Sequence, residues 1–158
     1  MDHPITPAVR CLREKGVEFI PHLYEYVDKG GTRESARQLG VDEHAIVKTL
    51  VFETNERKPL IVLMHGDMQV STKSLARLIG VKGVEPATPE RASKWTGYLV
   101  GGTSPFGIRT AMPVYVEKTI FDLDRIYING GKRGFLVEVD PHILHCIIDA
   151  IEVEVGLG

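Results

Sequence analysis

Cysteine is scarce in this sequence, whose 158 residues include only Cys11 and Cys146. Two thiols cannot make the disulfide framework of a small secreted domain. Both lie among apolar residues with helical spacing, so we predict two buried free thiols. The sequence has no uninterrupted apolar stretch of about 18 residues and no apolar run behind its first charges, so neither a transmembrane helix nor a signal peptide is expected. We therefore expect a cytoplasmic protein that makes no contact with a membrane.

An excess of charge of either sign is also missing. There are 19 Lys and Arg residues against 21 Asp and Glu, a formal net charge of −2. Because no whole-protein field attracts nucleic acid, any contact with RNA must come from a local basic patch. The hydrophobic fraction of 43% and the charged fraction of 25% are typical of a globular chain. We predict one domain over residues 1–158.

Several motifs with well-defined chemistry do not occur. No G-x-G-x-x-G opens a helix after a strand and no Walker sequence is present, which disfavours a doubly wound dinucleotide fold and a P-loop enzyme. No G-x-S-x-G elbow exists, and Ser104 has no His and acid partners in its local sequence. A serine-hydrolase triad is therefore disfavoured.

Helix starts are marked by capping side chains, three of which precede a proline. The cap oxygen accepts an otherwise free N–H, and proline at the first helical position loses no hydrogen bond. The predicted starts are Thr6-Pro7, Thr32, Asp42, Ser71, Thr88-Pro89 and Asp140-Pro141.

The predicted strands are arranged mainly as hairpins and do not alternate regularly with helices. Residues 18–26, with Pro21 inside, predict an edge strand, and the glycine-rich turn at residues 129–134 predicts a hairpin. Further strands are predicted at residues 49–52, 60–64, 81–86, 114–116 and 151–155. This pattern indicates an α+β fold with a mixed, strongly curved or barrel-like sheet and surrounding helices.

The most distinctive stretch is residues 97–107, which holds four of the sixteen glycines together with Pro105. Glycine admits left-handed backbone angles and close approach of a ligand. We predict a rigid loop whose exposed amides converge on a phosphate, a carboxylate or a developing oxyanion. The alternative is a tight connection in which glycine serves only the turns.

Lys48 and the turn at residues 129–134 are further candidates. A lysine among Ile46, Val47 and Leu50 is a half-desolvated point charge suited to a phosphate or carbonyl, or else a lysine at a sheet rim. His142, His145 and Cys146 could share a helical face, but a zinc site lacks an obvious fourth ligand. We favour an amphipathic helix with two partly exposed histidines there.

Four motifs, taken in order, resemble the YbaK/EbsC-type aminoacyl-tRNA deacylases, relatives of the prolyl-tRNA synthetase editing domain. The resemblance covers nearly the whole chain. Its motifs are Thr6-Pro7-Ala8-Val9, Val47-Lys48-Thr49-Leu50, the stretch at residues 96–105, and Gly130-Gly131-Lys132-Arg133-Gly134.

This resemblance implies a trans-editing enzyme that removes a wrong amino acid from tRNA, typically cysteine from tRNA(Pro). It implies no metal and no organic cofactor. The 3′ end of an aminoacyl-tRNA is the implied partner, and prolyl-tRNA synthetase is left open as a second. The implied catalytic residues are Lys48, Gly101 and Gly102. The implied substrate-binding residues are Tyr24, Thr49, Thr103, Ser104, Pro105, Asn129, Gly130 and Gly131.

Two routes and one non-enzymatic alternative stay open. In the cysteine-acting branch the substrate thiol attacks and leaves a thiolactone, whereas alanine-acting relatives position a water. We favour the thiol route, because the chain resembles the cysteine-acting branch most closely. A non-catalytic module that binds a nucleotide or a tRNA end would use the same amide-rich loops. The chain departs from the family at residues 28–32, which are short and lack an aromatic, at Asn129 in place of a common serine, and at Leu136 in place of an acidic residue.

Overall fold

The computed structural model describes residues 2–158 and contains five helices and ten strands. The helices are α1 (Pro7–Glu14), α2 (Gly31–Leu39), α3 (Thr72–Ile79), α4 (Pro89–Thr96) and α5 (Ile143–Ile148). The strands are β1 (Ile20–Leu23), β2 (Ile46–Thr54), β3 (Pro59–His65), β4 (Gln69–Val70), β5 (Val84–Pro86), β6 (Val114–Glu117), β7 (Ile126–Lys132), β8 (Phe135–Val139), β9 (Ile151–Val153) and β10 (Gly156–Leu157). Two 3₁₀ turns, Glu43–Ala45 and Lys118–Asp122, complete the elements.

Eight strands form one mixed sheet, which confirms the predicted α+β class. Along the sheet the order is β1-β8-β7-β2-β3-β6-β9, and β5 pairs with the end of β2 on the edge opposite β3. The β2–β7, β3–β6 and β6–β9 pairs are parallel, and the other pairs are antiparallel. Strands β4 and β10 form a separate antiparallel pair. Strand β1 lies at one edge, as its internal Pro21 predicts.

The core lies on both faces of this sheet. In β3 the side chains from Leu60 to His65 are all buried, which is typical of a strand covered on both sides. One cluster joins α1 to β7 and β8 through Leu12, Ile128 and Phe135. A second cluster on the other face joins α3 to β2 and β3.

Most of the predicted helix starts are confirmed. Thr6, Asp42, Ser71 and Thr88 each accept a backbone N–H at the start of a helix or turn. The prediction for Thr32 is wrong, because α2 begins at Gly31 and the Thr32 hydroxyl bonds elsewhere.

The helix predicted from Asp140-Pro141 is shorter than expected, since α5 begins at Ile143. Asp140 does accept the amide of His142, at 2.9 Å, so its carboxylate closes the turn before the helix.

The two cysteines are free, but they are not both buried. Cys11 is partly buried beside the main core, and Cys146 is exposed on α5, which corrects the sequence prediction. Within residues 2–158 no helix has the length and apolarity needed to cross a membrane.

Thr6 should contribute more stability than an ordinary helix cap. Its hydroxyl accepts from Val9 N at 3.0 Å and donates to the buried carbonyl of Gly130. Removing a cap costs about 1 kcal/mol, and a buried carbonyl left without its donor costs about 1–3 kcal/mol more. We expect Thr6→Ala to lower the melting temperature by about 5–10 °C.

Thr88→Ala is the matched control, because Thr88 is exposed and its hydroxyl only caps α4. It should lower the melting temperature by about 2–4 °C in the same calorimetric measurement. Equal losses in the two variants would contradict a second role for Thr6.

Candidate functional site

A cavity of about 540 Å³ opens beside the central strand β2. Its volume falls in the range of small-molecule sites, roughly 300–1,000 Å³. Its walls come from β2, from residues 24–35, from residues 86–92 and from the loop at residues 100–103, with Asn129 and Leu136 contributed by the β7–β8 hairpin. The lining is mostly apolar, with a few polar groups that can orient a ligand.

Six of the site residues implied by the family resemblance meet in this cavity, and five do not. Those that line it are Tyr24, Lys48, Thr49, Gly101, Thr103 and Asn129. The remaining five, Gly102, Ser104, Pro105, Gly130 and Gly131, lie behind the lining and shape the two loops. The chain departs from the family pattern at residues 28–32, Asn129 and Leu136, and all of these positions except Gly30 line the cavity.

Lys48 lies in the third position of β2, not before the strand as the sequence indicated. Its Nζ donates to the carbonyl of Met68 at 2.5 Å. Burial lowers the pKa of Lys48, and the nearby carboxylates of Glu43 and Asp67 partly offset that effect. The side chain is therefore a partly desolvated cation with a fixed direction.

The turn that carries Met68 is tied to α2 and to the 3₁₀ turn at Glu43–Ala45. The Thr32 hydroxyl lies 2.7 Å from Glu43 Oε2 and 3.1 Å from the carbonyl of Gly66. A Cβ on Gly66 would lie 2.8 Å from the Glu43 carbonyl, so only glycine fits there. Thr32 therefore links the cavity wall to the turn that orients Lys48.

A buried carboxylate holds the same turn from behind. Glu117, 6% exposed, accepts from Val155 N at 2.7 Å and from Gly156 N at 2.9 Å. Gly156 pairs with Val70 in the β10–β4 ladder, directly after Met68. The position of the Lys48 acceptor thus depends on two charge-assisted hydrogen bonds from the β9–β10 connection.

His65, a neutral and buried imidazole, also supports the turn that carries Met68. Its Nδ1 lies 2.7 Å from the carbonyl of His44 and must carry the proton, so Nε2 accepts from the Thr119 hydroxyl at 2.7 Å. Burial lowers the pKa of His65, which favours this neutral form. The His44 ring stacks on it with centroids 3.7 Å apart.

The glycine-rich loop is less open than its sequence predicts. Gly102 N donates to Leu99 O at 2.8 Å, and a Cβ on Gly102 would lie 2.7 Å from Arg133 N. Gly102 is therefore a packing glycine, and the expectation that its amide is free for an oxyanion is wrong. Ser104 is buried, with its hydroxyl accepting from Phe106 N, and Pro105 is buried beside it.

The amides that stay available belong to the two loop residues on the cavity wall. Gly101 and Thr103 both line the cavity, and their N–H groups find no acceptor among residues 2–158. Gly101 has φ +88°, and a Cβ there would lie 2.8 Å from the Tyr26 hydroxyl. This position requires glycine, because both the left-handed backbone and the close aromatic exclude a side chain.

Asn129 joins the two glycine-rich loops. Its Oδ1 accepts from Gly131 N at 2.7 Å and Lys132 N at 3.1 Å, while Nδ2 donates to the Gly101 carbonyl at 3.2 Å. The amides of Gly131 and Lys132 are therefore not available to a ligand, and Gly130 is held in place by packing. A Cβ on Gly130 would lie 2.5 Å from the ring of Phe135.

Tyr26 and Arg133, which were not among the implied site residues although Arg133 belongs to the fourth motif, hold the outer side of the same loop. Arg133 Nε donates to Val100 O at 2.8 Å, and the guanidinium lies 5.0 Å from the centre of the Tyr26 ring. The alternation Tyr24-x-Tyr26 was the available signal, because residues two apart in an extended chain face the same side. Tyr24 itself is fixed by its amide, which donates to Gly134 O at 2.9 Å.

The histidines of the α5 region do not form a metal site. His142 pairs with Asp140 at 2.9 Å and His145 with Glu152 at 3.0 Å, both at the surface. Across residues 2–158 no group of three His, Cys, Asp or Glu side chains is placed to hold a metal ion.

A model of the aminoacyl-tRNA editing domain family matches residues 29–145, and the chain belongs to this family. The resemblance read from the four sequence motifs is therefore confirmed. Membership assigns the chain to the proteins that edit aminoacyl-tRNA.

Individual relatives agree with this assignment. The chain is 29% identical over 140 residues to EbsC of Enterococcus faecalis, named as a proposed Cys-tRNA(Pro)/Cys-tRNA(Cys) deacylase, with 88% of this chain and 85% of EbsC covered. It is 31% identical over 117 residues to proline–tRNA ligase of Maridesulfovibrio salexigens, where the match covers 74% of this chain and 19% of the ligase. The fold is that of a crystal structure described as a proposed trans-editing enzyme for prolyl-tRNA synthetase, with TM-score 0.83, 24% identity, and 98% and 100% of the two chains covered.

The lowered pKa of Lys48 generates a prediction about stability. Folding disfavours the charged form, so the stability contributed by this group rises with pH between its folded pKa and its ordinary value of 10.5. We expect Lys48→Met to melt within about 3 °C of the wild type near neutral pH, because the loss of one hydrogen bond is offset by relief from desolvation.

Thermal unfolding of both proteins as the pH rises towards 10.5 provides the check. The melting temperature of the variant should fall relative to that of the wild type, since deprotonation removes the desolvation cost from the wild type alone. A melting temperature of the variant that rises relative to that of the wild type as the pH increases would contradict this account.

Proposed function

We propose that this chain deacylates Cys-tRNA(Pro) in the cytoplasm, acting as a single domain in trans to prolyl-tRNA synthetase. The observation that carries the proposal is the cavity whose lining includes Lys48 together with Gly101 and Thr103, the two loop residues whose amides have no acceptor among residues 2–158. The relation to EbsC and to proline–tRNA ligases supports the choice of amino acid and of tRNA.

The loop amides serve as the oxyanion site in this proposal. Attack on the aminoacyl ester places negative charge on its carbonyl oxygen, and fixed N–H donors stabilise that charge more than they stabilise the substrate. Gly101 N and Thr103 N are the candidates, replacing the pair Gly101 and Gly102 implied by the resemblance. Each such donor contributes about 3–4 kcal/mol in comparable enzymes.

The nucleophile is the thiol of the cysteinyl group itself. Its sulfur forms a bond to the carbonyl carbon, the ester bond to the ribose oxygen breaks, and the thiol proton ends on that oxygen. The products are a cysteine thiolactone and uncharged tRNA. The polar side chains of the cavity wall supply no obvious protein nucleophile, and this route requires none.

Lys48 positions the ester in this mechanism. Its ammonium is held by the Met68 carbonyl, and Lys48 lines a largely apolar cavity, where a charge acts more strongly than in water. A compact cation at this place orients the ester carbonyl and favours the developing negative charge. The phosphates of the tRNA stay outside this partly desolvated position.

Deacylation of a panel of purified Cys-, Ala- and Ser-charged tRNAs tests the proposal. We expect Cys-tRNA(Pro) to be the preferred substrate and thiolactone to be the first product by mass spectrometry. Lys48→Ala should lower kcat at least 100-fold, about 3 kcal/mol, because both orientation and charge stabilisation are lost.

Lys94→Ala, which removes an exposed lysine of α4, should retain the wild-type rate. Preferred hydrolysis of Ala-tRNA without thiolactone would replace the thiol route by attack of water. Binding of tRNA without turnover would indicate the non-catalytic module instead.

Asn129 offers a second test because its side-chain oxygen and its side-chain nitrogen bond to different loops. In Asn129→Asp the carboxylate keeps the acceptor for the amides of Gly131 and Lys132, but it faces the Gly101 carbonyl with like charge in place of the donor. We expect kcat to fall about tenfold, with a change in melting temperature below about 3 °C.

Asn55→Asp is the control, since Asn55 is an exposed turn residue whose Oδ1 accepts from Gly83 N. Its kcat should equal that of the wild type. A loss of activity in Asn129→Asp that only follows a loss of folded protein would contradict the role given to the Gly101 contact.

A further inference from the structure

The mouth of the cavity carries an apolar rim, defined here as Val27, Leu99 and Val100. These side chains are 44%, 64% and 48% exposed. Val27 and Val100 line the cavity, and Leu99 precedes Val100 in the same loop. Large apolar side chains gathered at the entrance of a site indicate a binding surface, whereas single exposed ones need no explanation.

Tyr26 and Arg133 hold the two sides of this rim together. Tyr26, next to Val27, packs against Gly101, next to Val100, and Arg133 joins both through its stacking on Tyr26 and its bond to Val100 O. The rim is therefore a fixed surface that a ligand does not have to order.

Two cations flank the rim. Lys29 lines the cavity and lies in the left-handed backbone region at φ 62°, an unusual conformation for a lysine. Arg133 is exposed, and its terminal nitrogens form no salt bridge with a carboxylate of residues 2–158. Of the two carboxylates in the lining, Glu34 is paired with Arg37 at 2.5 Å and Asp28 is exposed.

We propose that this rim binds the terminal nucleotide of the tRNA, with the base on Val27, Leu99 and Val100 and the 5′-phosphate between Lys29 and Arg133. The inference rests on the proposed function, because the ester to be cleaved is attached to the ribose of that nucleotide. With the ester carbonyl at Gly101, the ribose lies at the outer side of the loop, and its base meets the residues that precede Gly101. Proteins that bind nucleotides without strong preference for the base combine cations for the phosphate with a flat apolar surface for the base, commonly an aromatic one, and in this rim the surface is aliphatic.

Lys48 does not take the phosphate in this arrangement. Its ammonium is already bonded to Met68 O, and burial disfavours charge at its position. A phosphate brought there would lose its hydration against a cation that is itself partly satisfied, whereas Lys29 and Arg133 meet it in water.

The first test is binding, independent of catalysis. Adenosine 5′-monophosphate is titrated into the wild-type protein while methyl resonances are followed by NMR. We expect shifts at Val27, Leu99 and Val100 but not at Leu78, a residue of α3 that is 54% exposed. Leu99→Ser should weaken binding at least threefold, Leu78→Ser should not, and adenosine without phosphate should bind more weakly than the monophosphate.

The second test uses turnover. Leu99→Ser and Lys29→Gln should each raise KM for Cys-tRNA(Pro) about three- to tenfold with little change in kcat, and neither should change the cleavage of cysteine ethyl ester, which has no nucleotide. Absence of shifts at the rim with the monophosphate, or equal effects of Leu99→Ser and Leu78→Ser, would overturn the proposal. Shifts at the rim in a protein that deacylates no tRNA would leave the nucleotide site standing and refute the proposed function.

Discussion

The pairing of β2 with three neighbours is the constraint on which the site depends. Along one side, residues 47–53 of β2 pair with residues 59–65 of β3, and on the other Ile46 and Val47 pair with β7. Strand β5 closes the far end at Thr54. A backbone bonded in this way has no freedom to slide, since a shift by one residue would reverse every side chain. Lys48 and Thr49 therefore reach the cavity from a rigid element.

The loops around the cavity have no such ladder, and side chains hold them instead. Asn129 fixes Gly101 from within, Arg133 fixes Val100 from outside, and Glu117 fixes the turn beyond Lys48 through the backbone of β10. Preorganised donors lower an activation barrier only if they do not have to move during the reaction. The supporting side chains thus matter as much as the groups that would touch the substrate.

Local rules predicted the elements well and the roles of individual amides poorly. Caps such as Ser71 and Thr88 and the β7–β8 turn are set by adjacent residues, so the sequence suffices. Whether the amide of Gly102 is free depends on Leu99, and whether Gly130 faces a ligand or Phe135 depends on how the hairpin packs. These contacts are set by tertiary structure and leave no trace in composition or spacing. The exposure of Cys146 was missed for a different reason, because a six-residue helix has too few turns to define its buried face by periodicity.

The crowding around the glycines divides the site into parts that evolution can and cannot alter. Gly101, Gly102 and Gly130 are each bounded by atoms that would collide with any Cβ, so the framework of the two loops tolerates no side chain there. The exposed side chains of Val27, Asp28 and Leu99 are not enclosed in this way, and Val27 and Asp28 line the cavity. Descendants of this chain are therefore free to acquire a new preference for what enters the cavity while the scaffold that surrounds the bond to be broken is inherited unchanged.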